Sequence, residues 1–252
     1  MDWQRTIHCI GDLHAGGIKR PRVSAMLDDV KTLGTPAILL QIGDSTERGL
    51  PEEDVLAKRW LGRLPARHYT VLGNHDVMHN KRTAKQWAAA YGNESQSYVI
   101  DFPTLRIVAV GPDRDYPAES SGTLSDRTLE WLEARIRNAP DKTCWVACHW
   151  PLKHTVMGDS SRLYTSAMQS FHAKPDDRIR ALLSRHPNAK AWLSGHTHSP
   201  IDAPGLVTRA ASDPVRSLYL THFPGRMEVR FRDHGQRSWK QVGGRRVITV
   251  EV

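Results

Sequence analysis

Thr6-Ile7-His8-Cys9-Ile10-Gly11-Asp12-Leu13-His14 is the stretch on which the fold turns. Five residues suited to a strand run into a glycine, and two residue types that bind metals follow at once. The same plan recurs down the chain. Residues 37–42 lead into Gly43-Asp44, 68–72 into Gly73-Asn74-His75-Asp76, 144–148 into His149, and 189–193 into Gly195-His196-Thr197-His198. Each polar cluster therefore stands just past the carboxyl end of a predicted strand. In open α/β sheets the loops at those ends converge on one edge, so residues far apart in sequence can share one site.

The segments between follow helical spacing. Residues 21–33, 51–64 and 83–91 read as helices, two of them opening on proline, whose missing N–H costs nothing there. In 125–139, Ser125 is a candidate cap, and Leu129, Leu132 and Ile136 form one apolar stripe. In 176–185, Asp176 is the candidate cap, and Ile179, Leu182 and Leu183 face inward. Further strands are expected at 99–101 and 106–110, then at 206–210, 218–223, 227–232 and 246–252. An α/β first part followed by a mainly β part over 205–252 suits a layered α/β sandwich better than a purely parallel wound sheet. Residues 151–174 lack clean periodicity, and a loop of that length in a compact domain often serves as a lid.

Composition sets the frame. The 252 residues, with 39% hydrophobic content and eight tryptophans, suit a single domain over 1–252. No apolar run approaches the ~18–20 residues of a membrane span. The opening Met1-Asp2-Trp3-Gln4-Arg5 lacks a signal-peptide pattern, so cytoplasmic residence is expected. Cys9, Cys144 and Cys148 lie in apolar segments without metal-knuckle spacing and read as reduced core thiols. The net charge of +8 favours anionic partners. Its arginines are scattered in pairs such as Arg20 with Arg22 and Arg178 with Arg180, so no nucleic-acid partner is expected.

Carboxylate and amide oxygens suit hard cations, and imidazole suits Zn, Fe and Mn. An aspartate can bridge two such cations. A pair about 3.5–4 Å apart can clamp the attacking and leaving oxygens of a phosphoryl transfer. Taken singly, Asp12-x-His14, Gly43-Asp44 or a lone His149 could be a turn or a core residue. Five in order, each after a strand, point to one metal site at Asp12, His14, Asp44, Asn74, His149, His196 and His198.

This series resembles the calcineurin-like metallophosphoesterase superfamily over roughly residues 6–200. The resemblance implies a four-layer α/β/β/α sandwich and dinuclear metal-dependent hydrolysis of phosphoesters by a metal-bridging hydroxide. Two divalent or trivalent transition-metal ions (Mn, Fe or Zn) are implied. One would be held by Asp12, His14, Asp44 and His198, the other by Asp44, Asn74, His149 and His196, with His75 as the catalytic histidine. The phosphoprotein-phosphatase branch carries Gly-Asp-x-x-Asp-Arg-Gly, whereas this chain has Gly43-Asp44-Ser45-Thr46-Glu47-Arg48-Gly49. Support of His75 by Glu47 and phosphate contact by Arg48 are thereby in question. Asp76 is either an orienting partner of His75 or a turn residue.

The pattern is similar to bacterial cyclic-nucleotide and glycerophosphodiester phosphodiesterases, which implies a small or nucleotide diester as substrate. The alternatives are a phosphomonoesterase or protein phosphatase, a nuclease, and a non-catalytic scaffold. Trp150 either walls the pocket, stacks on a base or packs in the core. Within 151–174, His154, Asp159, Arg162, Tyr164 and His172 are candidate lid contacts, and Arg162 suits phosphate best because a guanidinium offers a bidentate fork. Oligomeric state is left open, a dimer included.

Overall fold

A computed structural model describes residues 5–17, 20–113, 122–153, 155, 172–198, 202–203, 207–210, 216–241 and 246–251. Strands β1 (Arg5–Ile10), β2 (Ile38–Ile42) and β3 (His68–Val71) lie side by side and parallel. On its other edge β1 pairs antiparallel with β10 (Arg216–Phe223), which continues through β11 (Arg226–Asp233) to β12 (Ser238–Lys240) and β13 (Ile248–Glu251). The second sheet has the order β4 (Tyr98–Asp101), β5 (Leu105–Ala109), β6 (Thr143–Ala147), β7 (Ala189–Ser194), β9 (Val207–Ala210), β8 (Asp202–Ala203). Strands β5, β6, β7 and β9 are parallel. The C-terminal strands therefore extend both sheets.

The alternation of each strand decides which residues fill the space between the sheets. Ile7 and Cys9 of β1, Leu40 and Ile42 of β2, and Leu218 and Leu220 of β10 face inward. They meet Ile107, Trp145, Ala191 and Leu193 of the second sheet, all buried. Each such Ile or Leu contributes about 1.5–3 kcal/mol relative to exposure. The opposite residues of the same strands face helices. Helices α1 (Arg20–Val30) and α2 (Pro51–Leu61) set Met26, Leu27, Ala57 and Leu61 against Ile10 and Leu39. Helices α4 (Asp126–Arg137) and α5 (Asp176–Ser184) set Leu132, Ile136, Ile179 and Leu182 against Val108, Val146 and Trp192. The short α3 (Ala84–Tyr91) seats Trp87 on Leu72 and Val77. The result is the four-layer α/β/β/α sandwich.

Local capping explains the helix ends. Thr83 accepts from Gln86 N at 3.1 Å, and Gln86 returns a bond to Thr83 N at 2.9 Å. Ser125 accepts from Thr128 N at 3.2 Å, as its sequence position suggests. Asp176 departs from expectation. Pro175 occupies the cap position of α5, and the Asp176 carboxylate instead accepts from Lys153 N at 2.7 Å and from Arg180 Nε at 2.7 Å. The short β8 and β12 were not anticipated either. Among the described residues no helix is long and apolar enough to cross a membrane.

Candidate metal centre

The five ligand-bearing loops are laced together by backbone hydrogen bonds at one edge of the sandwich. Asp12 N donates to Gly43 O at 3.1 Å, His14 N to Asp44 O at 3.0 Å, and Gly195 N to His149 O at 2.9 Å. Side chains join the lacing. Asp12 Oδ1 accepts from His196 N at 3.0 Å, and Asp44 Oδ1 accepts from His75 N at 2.9 Å. Buried Gln41 braces the Asp44 turn, donating to Gly43 O at 2.5 Å and accepting from Ser45 Oγ at 2.8 Å. That role was missed in the sequence, although a glutamine in the apolar run 38–42 was the available signal.

Five of these residues adopt left-handed backbone: Asp12 (φ 52°), His14 (46°), Asp44 (54°), His196 (71°) and His198 (53°). Among the described non-glycine residues only Lys81 and Arg237 share that region. Each such residue costs on the order of 1–3 kcal/mol, and strain of this kind gathers where a site demands it. Gly43, at φ 79°, is required twice over, because a side chain there would collide with the His149 ring.

The ring nitrogens and carboxylates converge in three sets. Asp12, His14 and His198 form the first, Asp44, His149 and His196 the second, and His14 recurs with Glu47 and His75 in a third. In the first, His14 Nε2 lies 3.2 Å from His198 Nε2, which lies 3.3 Å from Asp12 Oδ1. In the second, His149 donates Nδ1–H to Ile42 O at 2.9 Å, which turns its Nε2 inward. That nitrogen lies 3.1 Å from His196 Nδ1, 3.1 Å from Asn74 Oδ1 and 3.3 Å from Asp44 Oδ2. Asp44 Oδ2 is also 3.7 Å from His14 Nε2, so this carboxylate stands between the two sets.

This donor set fits a pair of cations. Two imidazole nitrogens facing each other at 3.2 Å can share one hydrogen, or both can turn their lone pairs to a cation. Asp12 Oδ2 is buried with no hydrogen-bond partner among the described residues, as a ligand oxygen would be. Mixed carboxylate, amide and imidazole ligation suits transition metals. The electrostatics agree. Burial works against ionisation of Asp44, yet the facing His149, His75 and His14 hold its carboxyl well below the usual range. Against the same desolvation, Asp44 and Asp12 raise His149 to about 9. Burial, then the His149 charge, lowers His196 to about 3.

The family profile described as calcineurin-like phosphoesterase matches residues 5–200. This chain belongs to that family. A calcineurin-like phosphoesterase is a metal-dependent phosphoric ester hydrolase, and its centre uses two transition metals. A relative described as "Probable glycerophosphodiester phosphodiesterase GpdQ", from Arcobacter nitrofigilis, is 31% identical over 165 residues, covering 65% of this chain and 57% of the relative. Another, "Probable cyclic nucleotide phosphodiesterase syc0937_d" from Synechococcus, is 25% identical over 206 residues, covering 80% of this chain and 74% of the relative. The chain thus spans little more than half of the first relative's length. A dimetal phosphatase from Danio rerio shares the fold with a TM-score of 0.66 at 12% identity, covering 98% of each chain.

The positions around the calcineurin-like centre separate the earlier alternatives. His75 donates Nδ1–H to the backbone carbonyl of Glu47 at 2.8 Å, and its ring stands edge-on to His14 at 4.5 Å. The Glu47 carboxylate does not support His75 and lies 2.9 Å from His14 Nδ1. Asp76 is a turn residue. Its Oδ1 accepts from Thr46 N at 3.0 Å and Thr46 Oγ1 at 2.9 Å, its Oδ2 from Gly73 N at 2.9 Å, and burial followed by the Asp44 charge raises it to about 7. The Arg48 guanidinium is held at the start of α2 by Glu53, Nε to Oε1 at 3.3 Å, with the side chain 62% exposed. Trp150 has no exposed surface. Its ring packs in the second-sheet core behind His149 and His196, which leaves no open face for a base. His172 is buried. His154, Asp159, Arg162 and Tyr164, with most of the expected lid, lie outside the described residues.

Proposed function

We propose that this calcineurin-like phosphoesterase is a phosphodiesterase acting on a small or nucleotide diester. The observation that carries the reading is the pair of three-residue sets with the Asp44 carboxylate between them. Asp12, His14, Asp44 and His198 would hold one cation, and Asp44, Asn74, His149 and His196 the other, Mn, Fe or Zn being compatible with both sets. Bound there, the pair supplies an acidified water and neutralises charge on the phosphoryl oxygens. The remaining work falls to the chain. Asp44 keeps its negative charge between the two halves. His75, its Nδ1 committed to Glu47, presents Nε2 to give a proton to the leaving oxygen. The names of the two relatives at 31% and 25% identity favour a diester over a monoester.

Rates on bis-p-nitrophenyl phosphate and p-nitrophenyl phosphate, measured with Mn-loaded protein, test the proposal. A higher kcat/KM on the diester supports it. Hydrolysis of the monoester alone would move the assignment to a phosphomonoesterase.

A further inference from the structure

His79 carries an exposed imidazole whose ring centroid lies 5.0 Å from that of His75, at an interplanar angle of 57°. The chain delivers it there by one helical turn after Asn74. Met78 N donates to Asn74 O at 2.8 Å, and Val77 N donates to the same oxygen at 3.2 Å. Residues 75 and 79 stand four apart on that turn, and side chains at that spacing share a face. The far end of the turn is tied down as well. Asn80 Nδ2 donates to Gly49 O at 3.3 Å, Arg82 N donates to Val77 O at 3.1 Å, and the buried Arg82 guanidinium pairs with Asp54 at 2.9 Å. Both imidazoles are thereby pinned to one loop, since Glu47, two residues before Gly49, holds His75 Nδ1.

We propose that His79 is a specificity-determining residue on the leaving side: its imidazole contacts the limb that departs with the leaving oxygen and favours one bearing a hydrogen-bonding group. The inference rests on the phosphodiesterase reading and adds what the leaving side selects. With Nδ1 committed to Glu47, His75 has only Nε2 for the leaving oxygen. An oxygen bonded there at about 2.8 Å brings the first atoms of its limb into range of a ring whose centre is 5.0 Å from that of His75. The neighbour of His75 on the metal side is closed to a limb. His14 is buried, stands edge-on at 4.5 Å and belongs to a ligand set. His79 is exposed to solvent, where a departing limb must go. Its ring is also unspent. Among the described residues His79 has no hydrogen-bond or ion-pair partner, and it belongs to none of the three convergent sets. A neutral imidazole offers one donor and one acceptor, enough to engage a hydroxyl on the limb.

Two chromogenic diesters that share a methyl limb test this directly: methyl 4-nitrophenyl phosphate and methyl 3-(hydroxymethyl)-4-nitrophenyl phosphate. Each kcat/KM is divided by the rate of alkaline hydrolysis, which removes the acidity of the phenol. The wild-type enzyme should then prefer the hydroxymethyl ester by about threefold or more, the scale of one net hydrogen bond. His79→Ala should bring that ratio close to one, and His79→Gln, whose amide also donates and accepts, should keep part of it. His75→Ala should slow both esters and leave the ratio intact. A His79 with a merely structural role would slow both esters together in His79→Ala and keep the ratio. That result, or a ratio near one in the wild type, overturns the assignment. If neither ester is hydrolysed, the phosphodiesterase reading fails, and NMR of the Zn-loaded protein decides the role of His79 alone. The His79 imidazole signals are assigned by their loss in His79→Gln. A shift with the hydroxymethyl ester that dimethyl phosphate does not produce supports the contact, and an equal or absent shift sinks it.

Discussion

The backbone carbonyl of Glu47 accepts the Nδ1–H of His75 at 2.8 Å, while the same residue's carboxylate turns away to His14. His75 is thus oriented without a charged partner. His75→Ala should lower kcat by about 10²–10⁴-fold, the usual range for a general acid or base. Because the ring is absent from both ligand sets that would bind the cations in the proposed assignment, two metals per chain should remain on elemental analysis. An unaltered kcat would remove His75 from the reaction.

Glu47→Gln separates the two functions of that residue. The carbonyl stays on His75, and only the charge 2.9 Å from His14 Nδ1 is lost. Removing an outer partner of a ligand histidine typically weakens metal affinity about 10–100-fold. Metal titration of the variant should show one weakened site and one of wild-type affinity. Equal weakening at both sites would contradict the separation.

Chelation should lower the thermal stability of the protein. A ligand present at 100 times its Kd stabilises the folded state by about 2.7 kcal/mol, and the left-handed backbone of the site residues is strain that bound cations would offset. Calorimetry with and without EDTA reads the shift, and a Tm indifferent to metal would argue against a preformed site.

Acid should weaken the fold through a second polar cluster, on the helix-covered face of the first sheet. His234 Nδ1 donates to Asp29 Oδ2 at 2.7 Å, so its Nε2 accepts from Ser217 Oγ at 2.7 Å, and Ser217 accepts from His8 Nε2 at 2.8 Å. Arg232 neutralises Asp29 through two bonds of 2.8 and 2.7 Å. Burial lowers the pKa of both His8 and His234, so near pH 6.5 the folded state binds fewer protons than the unfolded chain. Their stabilisation is full above about pH 6.5 and is lost as pH falls below it. Asp29, also lowered despite burial because Arg232 and His234 bond it, adds a loss at still lower pH. Asp76, raised to about 7, works the other way over the same interval. Between pH 7 and pH 5 the wild type should therefore lose more Tm, or gain less, than His8→Gln, and an unchanged pH dependence in that variant would overturn the proton arrangement.

His222 offers a test of opposite sign. It is buried beside Trp145, 6.0 Å between ring centroids, and neither ring nitrogen has a hydrogen-bond partner among the described residues. A buried unsatisfied polar group costs about 1–3 kcal/mol. His222→Leu should leave stability equal or raise it by about 1 kcal/mol in denaturant unfolding, whereas a large loss would reveal a hidden partner.

Much of this was legible in the chain because strand ends and ligand types coincide. The strand expected at 144–148 is found at Thr143–Ala147, and the helix expected at 51–64 at Pro51–Leu61. The two ligand sets follow from loops that the parallel strands bring to one edge. What escaped reading depends on contacts between distant segments. No local pattern says that the Glu47 carboxylate will choose His14, that Asp76 will tie Thr46 to Gly73, or that Trp150 will be buried behind two histidines. Asp176 was misjudged because its carboxylate is claimed by Lys153 and Arg180, one of them across the fold. The strand β12 is three residues long and is held mainly by its pairing with β11, so periodicity had little to work on.

Asp12, His14, Asp44 and Asn74 hang from the first sheet, while His149, His196 and His198 hang from the second. On the proposed assignment, a cation pair held by all seven would be a clasp across the seam of the sandwich as well as a reaction centre. The two layers would then share one fate. A loosened interior, as in an Ile7 or Leu193 truncation, would be felt at the centre as spread ligands, and metal supply would partly close it again.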